Sequence, residues 1–210
     1  MARSKGKCGL RNDGAPGREA WMSLVELIAQ ADERGLAVSA LACLDRCVPL
    51  LGGDDEVLRP LWANLADNGD VGEWGALLDK ARGQLGVADV VDAEDIEDEA
   101  ALLVRRMLAA APAMRSAAEA RVWADGCSVA SLQIHRLLDP AGDGAAAVDT
   151  RREGGTEAMS PLVAAELRRQ ITVLELLTEH GTAGLRRARE VSTEGRRILR
   201  AVVSRRARQV

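Results

Sequence analysis

The sequence predicts an all-α protein, a multi-helix bundle body followed by a basic C-terminal helical hairpin. Three observations predict it. Apolar residues recur at spacings of three and four in nearly every segment, the repeat of one helix face. Strand patterning is nearly absent, because the one β-branched cluster, Val87–Val91, is interrupted by Ala88 and Asp89. Glycine, proline and Asp/Asn clusters fall between the periodic stretches, where turns belong.

The elements follow in order. Trp21, Leu24, Val25, Ile28 and Ala31 mark a first helix, with Gly35 placed to end it in the left-handed conformation. Leu41, Leu44, Val48 and Leu51 form a second stripe, which Pro49 ends or kinks near Arg46–Val48. Gly52-Gly53-Asp54-Asp55 is a turn, and a short helix with Leu58, Leu61, Trp62 and Leu65 follows it. Asp70 and Glu73 read as an Asp-led capping box before a helix carrying Trp74, Leu77, Leu78, Ala81 and Leu85, which Gly86 ends. From Asp92 the chain runs acidic, then apolar at Ile96, Ala100, Leu103, Met107 and Ala110, and stops at Pro112. Two shorter helices are expected over Ala113–Ala124 and Val129–Leu138, the second capped by Ser128. Ser160-Pro161 is a strong helix start, an N-cap followed by proline at the first helical position. Val163, Leu167, Ile171, Leu174 and Leu177 line that helix, and the turn His180–Gly184 leads into a last helix over Leu185–Arg208. The resulting organisation is a basic flexible N-terminus (1–18), an acidic helical body (19–138), a linker or long loop (139–158) and a basic αα-hairpin (159–210).

Composition constrains the partners. The chain has 210 residues and contains no Phe and no Tyr, while Arg outnumbers Lys 25 to 3. That bias is the signature of a GC-rich, actinobacterial-type genome, so arginine abundance alone does not point to phosphate recognition. Base-stacking platforms draw on aromatic rings, and only Trp21, Trp62, Trp74 and Trp123 could supply them, each inside an apolar helical pattern. The net charge of −4 divides unevenly: +4 over residues 1–18, −14 over 19–158 and +6 over 159–210. The basic hairpin docks on its own acidic body, meets an acidic macromolecule, or has no specific role. On the last helix Arg186, Arg189, Arg196, Arg197 and Arg200 form a stripe beside an apolar strip that includes Gly195, where helices could approach closely. These five arginines are the candidate macromolecule-binding residues.

The signatures of catalysis are weak. Asp89, Asp92, Glu94, Asp95, Glu97, Asp98 and Glu99 are dense but lack a calcium-loop pattern, and acids belong at the start of the helix that follows. Cys43 and Cys47 lie one helical turn apart, offering at most two ligands where zinc wants four, and they read as buried small hydrophobes with Cys8 and Cys127 distant in sequence. His135 and His180 read as solvated or helix-capping. No phosphate-cradling loop, nucleophile elbow or zinc-protease motif is present. No apolar run approaches the ~18 residues of a membrane span, and no secretory signal opens the chain, so a cytoplasmic protein with reduced thiols is expected. The function expected is a non-enzymatic helical protein-binding module: a regulator, an adaptor or a neutralising, immunity-type partner. A nucleic-acid-binding regulator using the arginine stripe is the alternative, and an enzyme with a carboxylate-based site is the second. Another protein is the expected partner, nucleic acid is the alternative one and membrane is not; homo-oligomers are compatible. No catalytic residue, cofactor or metal is assigned.

Overall fold

The computed structural model of the protein describes residues 22–52, 54, 56–67, 69–86, 96–139, 148–154 and 159–208. Helix α1 (Leu24–Gln30) opens on a capping box, in which the Glu26 N–H donates to Ser23 Oγ and the Ser23 N–H to the Glu26 carboxylate. It buries Leu24, Leu27 and Ile28. Gly35 does not end it. Ala31 and Asp32 take extended backbone conformations, and Asp32 caps the next helix by accepting the Gly35 N–H at 2.7 Å. A side-chain acceptor at the N-cap therefore outweighs the glycine, which lies in the first turn of α2 (Glu33–Cys47).

Helix α2 is buried on every side from Gly35 to Cys47. A helix so enclosed is the axis of its bundle, and α2 does pack against α6 (Ala117–Leu138), α8 (Pro161–His180) and α9 (Gly184–Arg206). Pro49 breaks it as expected: Val48–Leu51 form a single 3-10 turn, closed by Gly52 at φ 65°.

Helices α3 (Arg59–Ala66) and α4 (Val71–Gln84) pack on each other at the side of the bundle. The Arg34 guanidinium donates to the Leu65 and Ala66 carbonyls, satisfying the C-terminal end of α3. Asp70 caps α4 through the Gly72 N–H at 2.9 Å, so the cap is real, although its partner is not Glu73. Arg82 reaches from α4 to the Leu108, Ala109 and Ala111 carbonyls at the end of α5 (Ile96–Ala109). Trp74 Nε1–H donates to the Pro112 carbonyl at 3.0 Å, its ring meets Trp123 edge to face with centroids 6.1 Å apart, and Arg115 stacks over it at 5.2 Å.

One helix, α6, replaces the two expected between Ala113 and Leu138. Ser116 caps it by accepting the Glu119 N–H at 3.2 Å. Ser128 is buried in its middle, where its hydroxyl donates to Gln170 Oε1 at 2.7 Å; a hydrogen bond to another helix takes the place of the cap. Within the stretch 139–158, residues Val148–Arg152 form the short helix α7 and bury Arg151 and Arg152. Helices α8 and α9 pack on each other across a 3-10 turn at Gly181–Ala183. Both also contribute to the common core, which runs from Leu24 to Leu199. There is no strand among the described residues, and no described helix is long and apolar enough to cross a membrane.

Candidate functional site

Between α5 and α6 a groove of about 610 Å³ opens to the surface. Leu103 and Met107 of α5 and Ala110 just beyond it form one wall, and Ala118, Val122, Gly126 and Ala130 of α6 form the other. The latter four recur every fourth residue, so one face of the helix presents them in a row. Trp123 lies at the base, nearly buried and held by its Nε1–H to the Met107 carbonyl at 2.9 Å. Val122 is 76% exposed, and in the turn beyond α5 Met114 is 62% exposed. Two charged residues line it, Arg106 from α5 and Glu119 from α6. A mostly apolar groove with a few polar groups is the usual form of a binding site.

The arginine stripe of α9 is divided. Arg196 is buried against α2, where its guanidinium holds Asp45 at 2.8 Å. Arg189 faces Glu56 at 3.6 Å. Arg186 and Arg197 are 85% and 75% exposed, each beside a carboxylate of its own helix: Glu190 at 3.8 Å and Glu194 at 3.9 Å. Arg200 is exposed. Arg186, Arg189, Arg196 and Arg197 line a shallow depression together with Glu56, Glu190 and Glu194. The stripe therefore presents mixed charge. A polyanion would meet three carboxylates there along with the arginines.

A third assembly was not legible in the sequence. In the interior, Arg46 donates to both Glu166 oxygens, at 2.8 and 2.6 Å, and neither side chain has any exposure. Glu166 also accepts from Ser131 Oγ at 2.8 Å and Gln170 Nε2 at 2.9 Å. Arg152 extends the network, reaching Ser128 Oγ at 3.1 Å and Asp125 at 2.5 Å. Burial by itself would raise the Glu166 carboxyl, but Arg46 and its hydrogen bonds hold it down at about 2. Burial pushes the Cys43 thiol up to about 12, and the Cys47 and Cys127 thiols well up too. These cysteines are buried and protonated at neutral pH, hence weak nucleophiles and poor ligands.

His135 corrects its expected solvated or capping role, because it is buried in the same cluster. Its Nδ1–H donates to the Ser131 carbonyl at 2.7 Å, and burial lowers its pKa against the pull of Glu166. His180 is exposed at the end of α8, with Nε2 3.4 Å from Arg187. Trp62, Trp74 and Trp123 are buried, so none offers a face for base stacking. Trp21, Cys8, Val87–Val91 and the acids Asp89, Asp92, Glu94 and Asp95 lie outside the described residues, as do the side chains of Glu97 and Asp98; Glu99 is exposed on α5. No group of three or more His, Cys, Asp or Glu side chains among the described residues is arranged to hold a metal ion.

Sequence reasoning missed the groove because its α6 wall carries mostly small residues. Ala118, Gly126 and Ala130 give no stripe that stands out from an alanine-rich helix; the exposed Val122 among them was the available signal. No protein-family model, curated protein or solved structure matches the chain.

Proposed function

We propose that the protein is a non-enzymatic protein-binding module, of regulator, adaptor or neutralising type, which receives an apolar helix face of another protein in the α5–α6 groove. The observation that carries this reading is the groove itself: an open, mostly apolar concavity of about 610 Å³, lined in part by the exposed Val122. Apolar grooves between two helices suit amphipathic helices, whose anchors recur at i, i+3, i+4 and i+7. The mixed charge on α9 supports a protein partner over a nucleic acid, because Glu190 and Glu194 stand among the arginines. The interior network supports a binding role over a catalytic one, since its thiols are protonated and its carboxylate is fully engaged.

The test compares the full-length protein with its Val122→Arg variant, each immobilised and exposed to extract of the organism that encodes it. A protein retained by the parent and lost with the variant is the expected result. With that partner purified, the variant should bind at least about tenfold more weakly, as the loss of a groove anchor implies. Equal retention by both forms would remove the groove from the binding face. Salt-sensitive duplex binding that Arg197→Glu with Arg200→Glu abolishes would move the function to the nucleic-acid alternative.

A further inference from the structure

We propose that the α5–α6 groove is self-complementary and that a second copy of this chain covers it when no partner is bound. The inference rests on the reading of the groove as a docking face, and it names both an occupant and a mode of regulation. Charge is its first support. A two-fold contact places residue i against residue j of the other copy, and j against i. Such a contact is favourable when one patch carries both signs on opposite walls. Arg106 lines the groove from α5 and Glu119 lines it from α6. Both are exposed, and Arg106 forms no ion pair with any described residue. Glu119 uses one carboxylate oxygen to accept from Ser116 Oγ at 2.7 Å. Glu119 forms no ion pair with a described residue, and two-fold docking would form the Arg106–Glu119 pair twice.

Shape is the second support. Val122 and Gly126 lie one helical turn apart on the same wall, the first projecting and the second open. A Cβ added at Gly126 meets nothing within 4 Å. Each copy thus offers a knob and a vacancy side by side, and a two-fold axis seats the knob of one over the vacancy of the other. The contact is confined to one helix pair, well short of the ~2,000 Å² or more typical of obligate dimers. It is a reversible association that depends on concentration. Because partner and second copy use the same groove, dimerisation lowers the apparent affinity for the partner, and the partner dissociates the dimer.

Sedimentation velocity on the full-length chain, over a roughly hundredfold concentration range, should show a monomer–dimer equilibrium. Arg106→Glu alone and Glu119→Arg alone should each raise the dissociation constant at least about tenfold, since each sets like charges together twice. An equimolar mixture of the two variants should regain dimer, because the heterodimer pairs Glu at 106 with Arg at 119, and Arg106 with Glu119. Val122→Arg should remain monomeric, with its helical circular dichroism unchanged. A parent that is monomeric throughout overturns the inference. So does a dimer indifferent to these changes, or a mixture that fails to recover. In each of those cases the partner-capture test stands separately, and capture without dimerisation leaves the groove a binding face for other proteins only.

Discussion

Two regions that share α6 are arranged in opposite ways. Between α2, α6, α8 and α9 the interior is ionic: Arg46, Glu166, Gln170, Ser128 and Ser131 are all buried there. On the outer side of α6, facing α5, an apolar groove lies open. Burying a charge costs several kcal/mol unless it is paired and hydrogen-bonded, and leaving apolar surface in water forgoes about 25 cal/mol per Å². The interior offsets its cost, because Glu166 accepts from Arg46, Ser131 and Gln170 together. The groove has no such compensation within the described chain. Satisfied polar groups inside therefore belong to the architecture, whereas the uncovered apolar groups outside are what the proposed docking role rests on.

The largest effect should come from breaking the interior. Glu166→Ala strands the Arg46 guanidinium with no exposure and no carboxylate, which should cost about 3–5 kcal/mol. Urea unfolding followed by circular dichroism measures it. Changing both partners, Arg46→Met with Glu166→Leu, should recover most of the loss, because no charge is then left alone. A double variant as unstable as the single one would show that the network does more than satisfy its own charges.

How far the sequence revealed each region follows from the range of the interactions. Helices with local signals were legible: Pro49 ended α2, Gly86 closed α4, and Ser160-Pro161 opened α8. The single α6 was not, because Ser128 is equally suited to capping its own helix and to bonding Gln170, 42 residues away. The ionic interior was hidden for the same reason, as Arg46 and Glu166 are 120 residues apart. Their setting did carry a trace. Asp45 and Arg46 interrupt the mostly apolar run Leu36–Val48, whose one other polar residue is Ser39, and charges inside a fully enclosed helix imply partners on its neighbours. Periodicity within α9 alone groups Arg196 with the exposed arginines, whereas Asp45, on another helix, takes it inward.

The two interior ion pairs respond to pH in opposite directions, which gives the second prediction. Burial raises the Asp45 carboxyl from 3.8 to about 6, in spite of Arg196 and Arg46. Between those values the folded protein binds a proton that the unfolded chain does not, so this residue adds stability as pH falls from 6 towards 4. Its contribution is up to ~2–3 kcal/mol, from about two pKa units. Glu166 is held at about 2 against an ordinary 4.5, so its stabilisation is present above 4.5 and is lost as pH falls towards 2. Burial lowers the His135 imidazole from its ordinary 6.5, so this residue costs stability as pH falls through the same acid range. The Asp45 limb is therefore read in a His135→Gln background, where urea midpoints at half-unit steps should rise on acidification to about pH 4–5 and then fall. Asp45→Asn should flatten the first limb and leave the second. If the first limb persists in that variant, Asp45 is not its source.

The smallest effect lies in the groove and should have the opposite sign. Gly126 sits in the middle of α6, and a methyl group added there meets nothing within 4 Å. Gly126→Ala removes backbone freedom from the unfolded chain and improves helix propensity, so the protein should gain about 0.5–1 kcal/mol. Gly83, near the end of α4, is equally open and provides the control, with an equal or smaller gain expected from Gly83→Ala. The two variants should separate in sedimentation. The methyl at 126 fills the vacancy that receives Val122 of a second copy and should weaken association, while the methyl at 83 should leave association unchanged. Stability rising as docking falls is the behaviour of a surface kept open for contact. If Gly126→Ala stabilises the fold and leaves both dimer and partner binding intact, the glycine is no part of the interface, and the knob at Val122 must seat elsewhere along the groove.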